Sequence, residues 1–221
     1  MYFTLMTSLF LLFSVPLFFA IVVTLFFKWD SSINRFKKAF FTGLSFFIAA
    51  QIILLLIGLV YKVNYEKLPL FIYIWITDLL VLLIILSAGY FLMVKNGFFR
   101  QDSYREYPVV FSYTGGFMVL AGLARTVNSL LKFDGYMLFL YPFVCMILLI
   151  SFSIIIIEAG TRRGYIPVLL YALLFPLSLL LALIPWLYYT NYIPAAVGIT
   201  LLAFISTGLV FFLLKKDYIR I

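Results

Sequence analysis

Seven apolar stretches, at about 5–27, 39–61, 69–94, 108–131, 136–158, 165–189 and 193–214, leave this chain almost no polar sequence from which to build anything else. A helix needs ~20 apolar residues to cross the hydrocarbon of a bilayer, and each stretch is about that long or longer. In lipid every backbone N–H and C=O must be satisfied within the segment, so helices are the expected form. With 66% hydrophobic, 20% aromatic and only 11% charged residues, a water-soluble domain could not hide this surface. The expected fold is therefore an all-α integral membrane protein in a lipid bilayer. Residues 1–221 form a single seven-helix transmembrane domain, with no room for a second folded unit.

The basic residues orient it. Lys28, Arg35, Lys37 and Lys38 follow the first stretch, Lys95, Arg100 and Arg105 the third, Arg162 and Arg163 the fifth, and Lys215, Lys216 and Arg220 the seventh. The alternate connections hold only Lys62, Lys67, Arg125 and Lys132. Cytoplasmic loops collect Lys and Arg, which predicts an outside N-terminus, a cytoplasmic C-terminus and residence in the cytoplasmic membrane. Aromatic belts agree: Trp29 and Tyr104 mark one interface, and Tyr61, Tyr65, Trp186, Tyr188, Tyr189 and Tyr192 the other. The first stretch has no basic residue before it and exceeds the 7–15 residues of a signal-peptide core, so it is expected to remain as a helix. The net charge of +8 follows the loop pattern, and no loop interleaves basic and aromatic residues as single-strand binding requires, so no nucleic acid partner is expected.

Several chemistries are excluded by composition. The chain has no histidine and one cysteine, Cys145, which removes His-ligated haem, thiolate clusters and Ser–His or Cys–His dyads. It has no phosphate-binding GxxxxGK[ST] loop, no GxGxxG after a strand and no HExxH. The seventh stretch lacks the lysine within the helix that a retinal protein needs. The expectation is a protein without catalysis, metal or cofactor.

Pro69, Pro108, Pro167 and Pro194 sit where helices begin, and Pro16, Pro142, Pro176 and Pro185 lie inside stretches they should bend. Ser112, Gly115, Val119, Gly122, Thr126 and Ser129 trace one face of the fourth stretch. Small residues permit close helix approach, so this helix is expected at the centre. Ala203, Thr207 and Gly208 repeat the pattern more briefly in the seventh. Three helices, an inverting fourth and three more make parallel halves, with Pro16 and Pro69 echoed by Pro142 and Pro194. That 3 + 1 + 3 plan and chain length are similar to those of the SWEET sugar transporters. The Pro-Gln pair that marks SWEET halves is absent: Leu17 follows Pro16, and Phe143 follows Pro142.

Asp78 is the most informative single residue, an acid about nine residues into the third stretch. Burying it there costs at least ~2.5–3.5 kcal/mol on insertion scales, which makes it a functional-site candidate. Arg125, six residues from Leu131 in the antiparallel fourth stretch, falls at a comparable depth. Three readings stay open: a buried ion pair that fixes helix register, a proton, cation or amine site at Asp78 regulated by Arg125, or an Arg125 that snorkels to headgroups. Gln51, Thr77, Trp75, Tyr73 and Tyr113 would complete a modest polar and aromatic lining, with the Trp75 indole one turn from Asp78. Glu158, four residues before Arg162, reads as a local helix-end pair.

A conduit needs several polar groups per helix, and the first, fifth and sixth stretches have few. The expected function is thus a sensor module or an accessory subunit of a larger membrane complex. Such a module implies a membrane-protein partner or a homo-oligomer, or a small lipophilic or cationic ligand. The alternative is a small-solute or proton-coupled transporter with its site at Asp78.

Overall fold

The computed structural model describes residues 33–60, 67–95, 107–132, 135–161 and 165–219, and every element among them is helical. In chain order these are α1 (Ile33–Val60), α2 (Lys67–Ile74), a π-helical turn (Trp75–Leu80), α3 (Val81–Lys95), α4 (Tyr107–Lys132), α5 (Gly135–Phe139), α6 (Tyr141–Thr161), α7 (Ile166–Ala172), α8 (Leu174–Tyr189) and α9 (Ile193–Ile219). Five segments are long and apolar enough to cross a membrane: Phe36–Ile57, Leu68–Lys95, Tyr141–Ala159, Val168–Tyr189 and Ile193–Leu213. They are the second, third, fifth, sixth and seventh sequence stretches, as a multi-pass membrane protein requires. The fourth stretch is the 26-residue α4, with a shorter apolar part at Val109–Gly122. The first stretch with Pro16, the belt residues Trp29, Tyr61, Tyr65 and Tyr104, the loop at 96–106, and Arg162 and Arg163 lie outside the described residues.

Helix α4 is buried on every side from Val109 to Val119. It packs chiefly on α1 and α6. The α1 contact is backbone to backbone: a Cβ on Gly116 would strike Phe40 O, and one on Gly43 would strike Tyr113 O. Ser112 Oγ donates to Phe36 O at 2.8 Å across the same seam. The central position expected from small residues is therefore realised, with Gly116 and Ser112 at the close approach to α1. On the α6 side Thr114 and Ser153 share a buried hydroxyl–hydroxyl hydrogen bond of 2.6 Å. Helix α6 is itself central, with 72% of its span buried against 11% for α9. On α9, Ala203 and Phe204 meet the core, whereas Gly208 has open space where a Cβ would stand.

Pro69, Pro108, Pro167 and Pro194 each fall in the first turn of a helix, where a missing N–H costs nothing. Pro142 follows the one-residue interruption at Leu140, and Pro176 follows another at Leu173. Without an N–H at Pro176 the ladder cannot close there, and the Leu173 amide is shared between Leu169 O and Leu170 O at 3.1 and 3.2 Å. Pro185, by contrast, stays inside an unbroken α8. That helix ends on Asn191 at φ 67, with Tyr192 N–H returning to Leu187 O and Asn191 N–H to Tyr188 O. This Schellman closure needs a left-handed residue, which Asn tolerates better than most, and Pro194 then starts α9.

The α2–α3 span carries an interruption of a different kind. No proline lies near it, yet Trp75–Leu80 is π-helical, with Val81 N–H reaching back to Ile76 O. The Thr77 carbonyl thus loses the amide that an α-helix would bring to it. The two halves of the span have different neighbours. Helix α2 and the π turn pack on α8, while α3 packs on α1 and α4.

Candidate functional site

Asp78 lies within that π turn and is 7% exposed, beside the equally buried Thr77. Isolated π turns inside α-helices occur often at functional positions. Thr77 Oγ1 stands 2.9 Å from Tyr73 O and 3.2 Å from Asp78 Oδ1. A hydroxyl has one hydrogen to donate. The Tyr73 carbonyl and the Asp78 carboxyl therefore share the Thr77 hydroxyl.

Tyr136, the second residue of α5, is fully buried and within electrostatic reach of Asp78 and of Cys145. Three more tyrosines enclose its ring: Tyr141 at 6.2 Å, Tyr188 at 5.8 Å and Tyr189 at 5.6 Å between centroids. Gly135 makes room for this cluster, since a Cβ there would collide with the Tyr188 hydroxyl. Edge and tilted contacts of this kind add to the area each ring buries. The cluster closes the bundle at the end where α8 terminates.

Trp75 opens the π turn and points at α8. Its Nε1–H donates to Ser178 Oγ at 3.0 Å, and its ring stands edge-on to Phe175 at 5.4 Å. Ser178, fully buried, donates onward to Phe175 O at 2.7 Å. Phe71, one turn earlier, meets Trp186 at 6.0 Å. The indole is thus committed to holding α2 and the π turn against α8.

The residues proposed from sequence separate into two places. Asp78, Thr77 and Trp75 share the π turn, with Tyr73 contributing its carbonyl. Tyr113 is deep in α4 and donates to Leu86 O at 2.8 Å, over the gap that Gly89 leaves. Leu86 is eight residues beyond Asp78, ~12 Å along the helix, so Tyr113 belongs to the α3–α4 seam. Gln51 is half-buried on α1, whose neighbours are α4 and α3. Arg125 lies on α4, and its side chain is outside the described residues. Glu158 is half-buried near the end of α6. Sequence reasoning passed over Tyr136 and Ser178. Ser178 had a signal, as the single hydroxyl among the aliphatic residues of Leu177–Ile184. Tyr136 had none, since a tyrosine at a helix start reads as an interface residue.

Comparison of the chain with family models, with curated proteins and with solved structures found no match.

Proposed function

We propose that this chain is a non-catalytic seven-helix membrane module, a sensor or an accessory subunit of a larger membrane complex, with an outside N-terminus and a cytoplasmic C-terminus. Its functional centre is Asp78. The observation that carries this reading is a buried acid within a π turn, set among described hydroxyls that are bonded locally. Ser112, Thr114, Ser153, Ser178, Thr200 and Thr207 are each bonded to backbone or to one another. Those of Ser112, Thr114 and Ser153 join helices and those of Thr200 and Thr207 turn back on their own, and hydroxyls spent in either way do not line a hydrated path. Among the described residues Asp78 is the one carboxyl buried in the helices, in a π turn beside Thr77 and within electrostatic reach of Tyr136, which suits a single ligand or proton and not a lane through the protein.

The π turn itself favours a second reading, a small-solute or proton-coupled transporter. Transporter sites gather where a span departs from regular α-helix near an ionisable residue.

Purification from native membranes in mild detergent, followed by mass spectrometry of whatever accompanies the chain, separates the two. A stoichiometric protein partner, or a lipophilic or cationic small molecule that Asp78→Asn releases, is the expected result. A lone chain that carries nothing, but takes up solute in vesicles and loses that uptake in Asp78→Asn, replaces the module with the transporter.

A further inference from the structure

Two of the spans are interrupted, and their interruptions touch. The π turn begins at Trp75, and the α7–α8 span is perturbed at Leu173, whose amide is shared between Leu169 O and Leu170 O, three residues before Pro176, which has no N–H to donate. Trp75 reaches across to Phe175 and Ser178, both in the first turns of α8 beyond Leu173. Each span also changes partners at its interruption. Helix α3 packs on α1 and α4, and α7 packs on α6, so both of these halves belong to the central bundle. Helices α2 and α8 pack on each other, from Phe71–Trp186 at one end to Trp75–Ser178 at the other, and α8 keeps only a small contact with α6.

Sharp changes in a helix have local causes, and hinges use element-terminal positions that absorb backbone rotation. Here both candidates for such rotation lie side by side, joined by one hydrogen bond. We propose that α2 and α8 move as one body against the central bundle, hinged at the π turn and at Leu173, with Trp75–Ser178 as the tie that makes the two hinges act together. The surface that opens is the tyrosine cluster, where Tyr188 and Tyr189 of the moving body rest on Tyr136. Helix α8 also lies along α9, which guides the tilt. Opening separates the π turn from Tyr136 and admits water to Asp78. The hinge rests on packing alone; only its role as a gate to Asp78 depends on the function proposed above.

Hydrogen–deuterium exchange of the full chain in lipid nanodiscs, read by mass spectrometry, tests it. Amides of 75–80 and of 172–178 are expected to exchange faster than those of the buried 109–119 in α4. Ser178→Ala removes the acceptor of the tie, and Trp75→Phe removes its donor while keeping an aromatic ring. Each is expected to speed exchange in both segments by a similar factor, roughly twofold to tenfold for one hydrogen bond. Acceleration confined to the span that carries the substitution overturns the coupled hinge. So does wild-type protection at 75–80 and 172–178 equal to that of α4, a comparison that needs no variant to fold. Neither readout involves ligand or partner, so a failed hinge and a failed Asp78 site are told apart: binding lost in Asp78→Asn with no coupled exchange leaves the site standing and removes the gate.

Discussion

Trp75 and Ser178, 103 residues apart in the chain, meet through an indole N–H donated to a serine oxygen at 3.0 Å. Hydrogen bonds between helices in membranes contribute about 0.6 kcal/mol on average and up to about 1.7. This one should lie at the upper end, because Ser178 is fully buried and Ser178→Ala leaves a half-buried indole N–H without its partner. Trp75→Phe and Ser178→Ala are each expected to destabilise by about 1 kcal/mol, and the double variant by little more than either. Reversible unfolding in detergent, read as a double-mutant cycle, checks this; additive losses would show that the contact stabilises nothing.

The α1–α4 seam makes a sharper demand. A Cβ at Gly116 or Gly43 meets backbone atoms of the facing helix, which cannot rotate away as a side chain can. Gly116→Ala and Gly43→Ala are expected to cost at least the 1–3 kcal/mol typical of overpacking, despite alanine's better helix propensity. Gly198→Ala and Gly208→Ala are the controls, since nothing stands within 4 Å of a Cβ at either position. They should be neutral or stabilise by roughly 0.5–1 kcal/mol. Thermal melting of the four variants side by side checks the contrast.

The extent to which the sequence foretold these seams follows from what each signal measures. Apolar length is read by the bilayer residue by residue, so the boundaries of the third and fourth stretches fall within about two residues of α2–α3 and α4. Small residues told which helix is central, but Gly116, which the α1 backbone approaches, lies off the face they traced. Asp78 was legible because its burial is costly wherever it points. The π turn around it was not, since Trp75–Leu80 contains neither proline nor glycine. Tertiary bonds flank it, from Trp75 to α8 on one side and from Tyr113 of α4 to Leu86 on the other. For Tyr113 depth along a helix was legible, and the direction of its hydroxyl, toward Leu86 O, was not.

Gly135 and Tyr188 form a steric pair at the tyrosine cluster. Alanine at 135 drives a methyl into the Tyr188 hydroxyl, the far end of a side chain that can move. Gly135→Ala should therefore cost only about 1 kcal/mol, yet disturb the fixed rings around Tyr136. Near-ultraviolet circular dichroism is expected to lose tyrosine intensity while far-ultraviolet helicity stays constant. Adding Tyr188→Phe removes the clashing oxygen and should restore the signal. Failure of that rescue would place the strain elsewhere.

Asp78 separates a site from a structural ion pair by what its removal does to stability. Asparagine has nearly the same shape and keeps an acceptor for Thr77, whose hydroxyl is 3.2 Å away. If Asp78 is a site, Asp78→Asn costs less than about 1 kcal/mol and abolishes binding, with Arg125→Gln restoring nothing. If it is half of a buried pair with Arg125, either single variant strands the other charge, at about 3–5 kcal/mol, and the double neutral variant recovers most of the loss. We expect the first pattern, because Asp78 lies in a π turn with the Thr77 hydroxyl as a local partner. Unfolding measurements on Asp78→Asn, Arg125→Gln and the double variant decide it. A large single-variant loss that disappears in the double would make Asp78 a strut of the bundle and move the search for a ligand site away from the π turn.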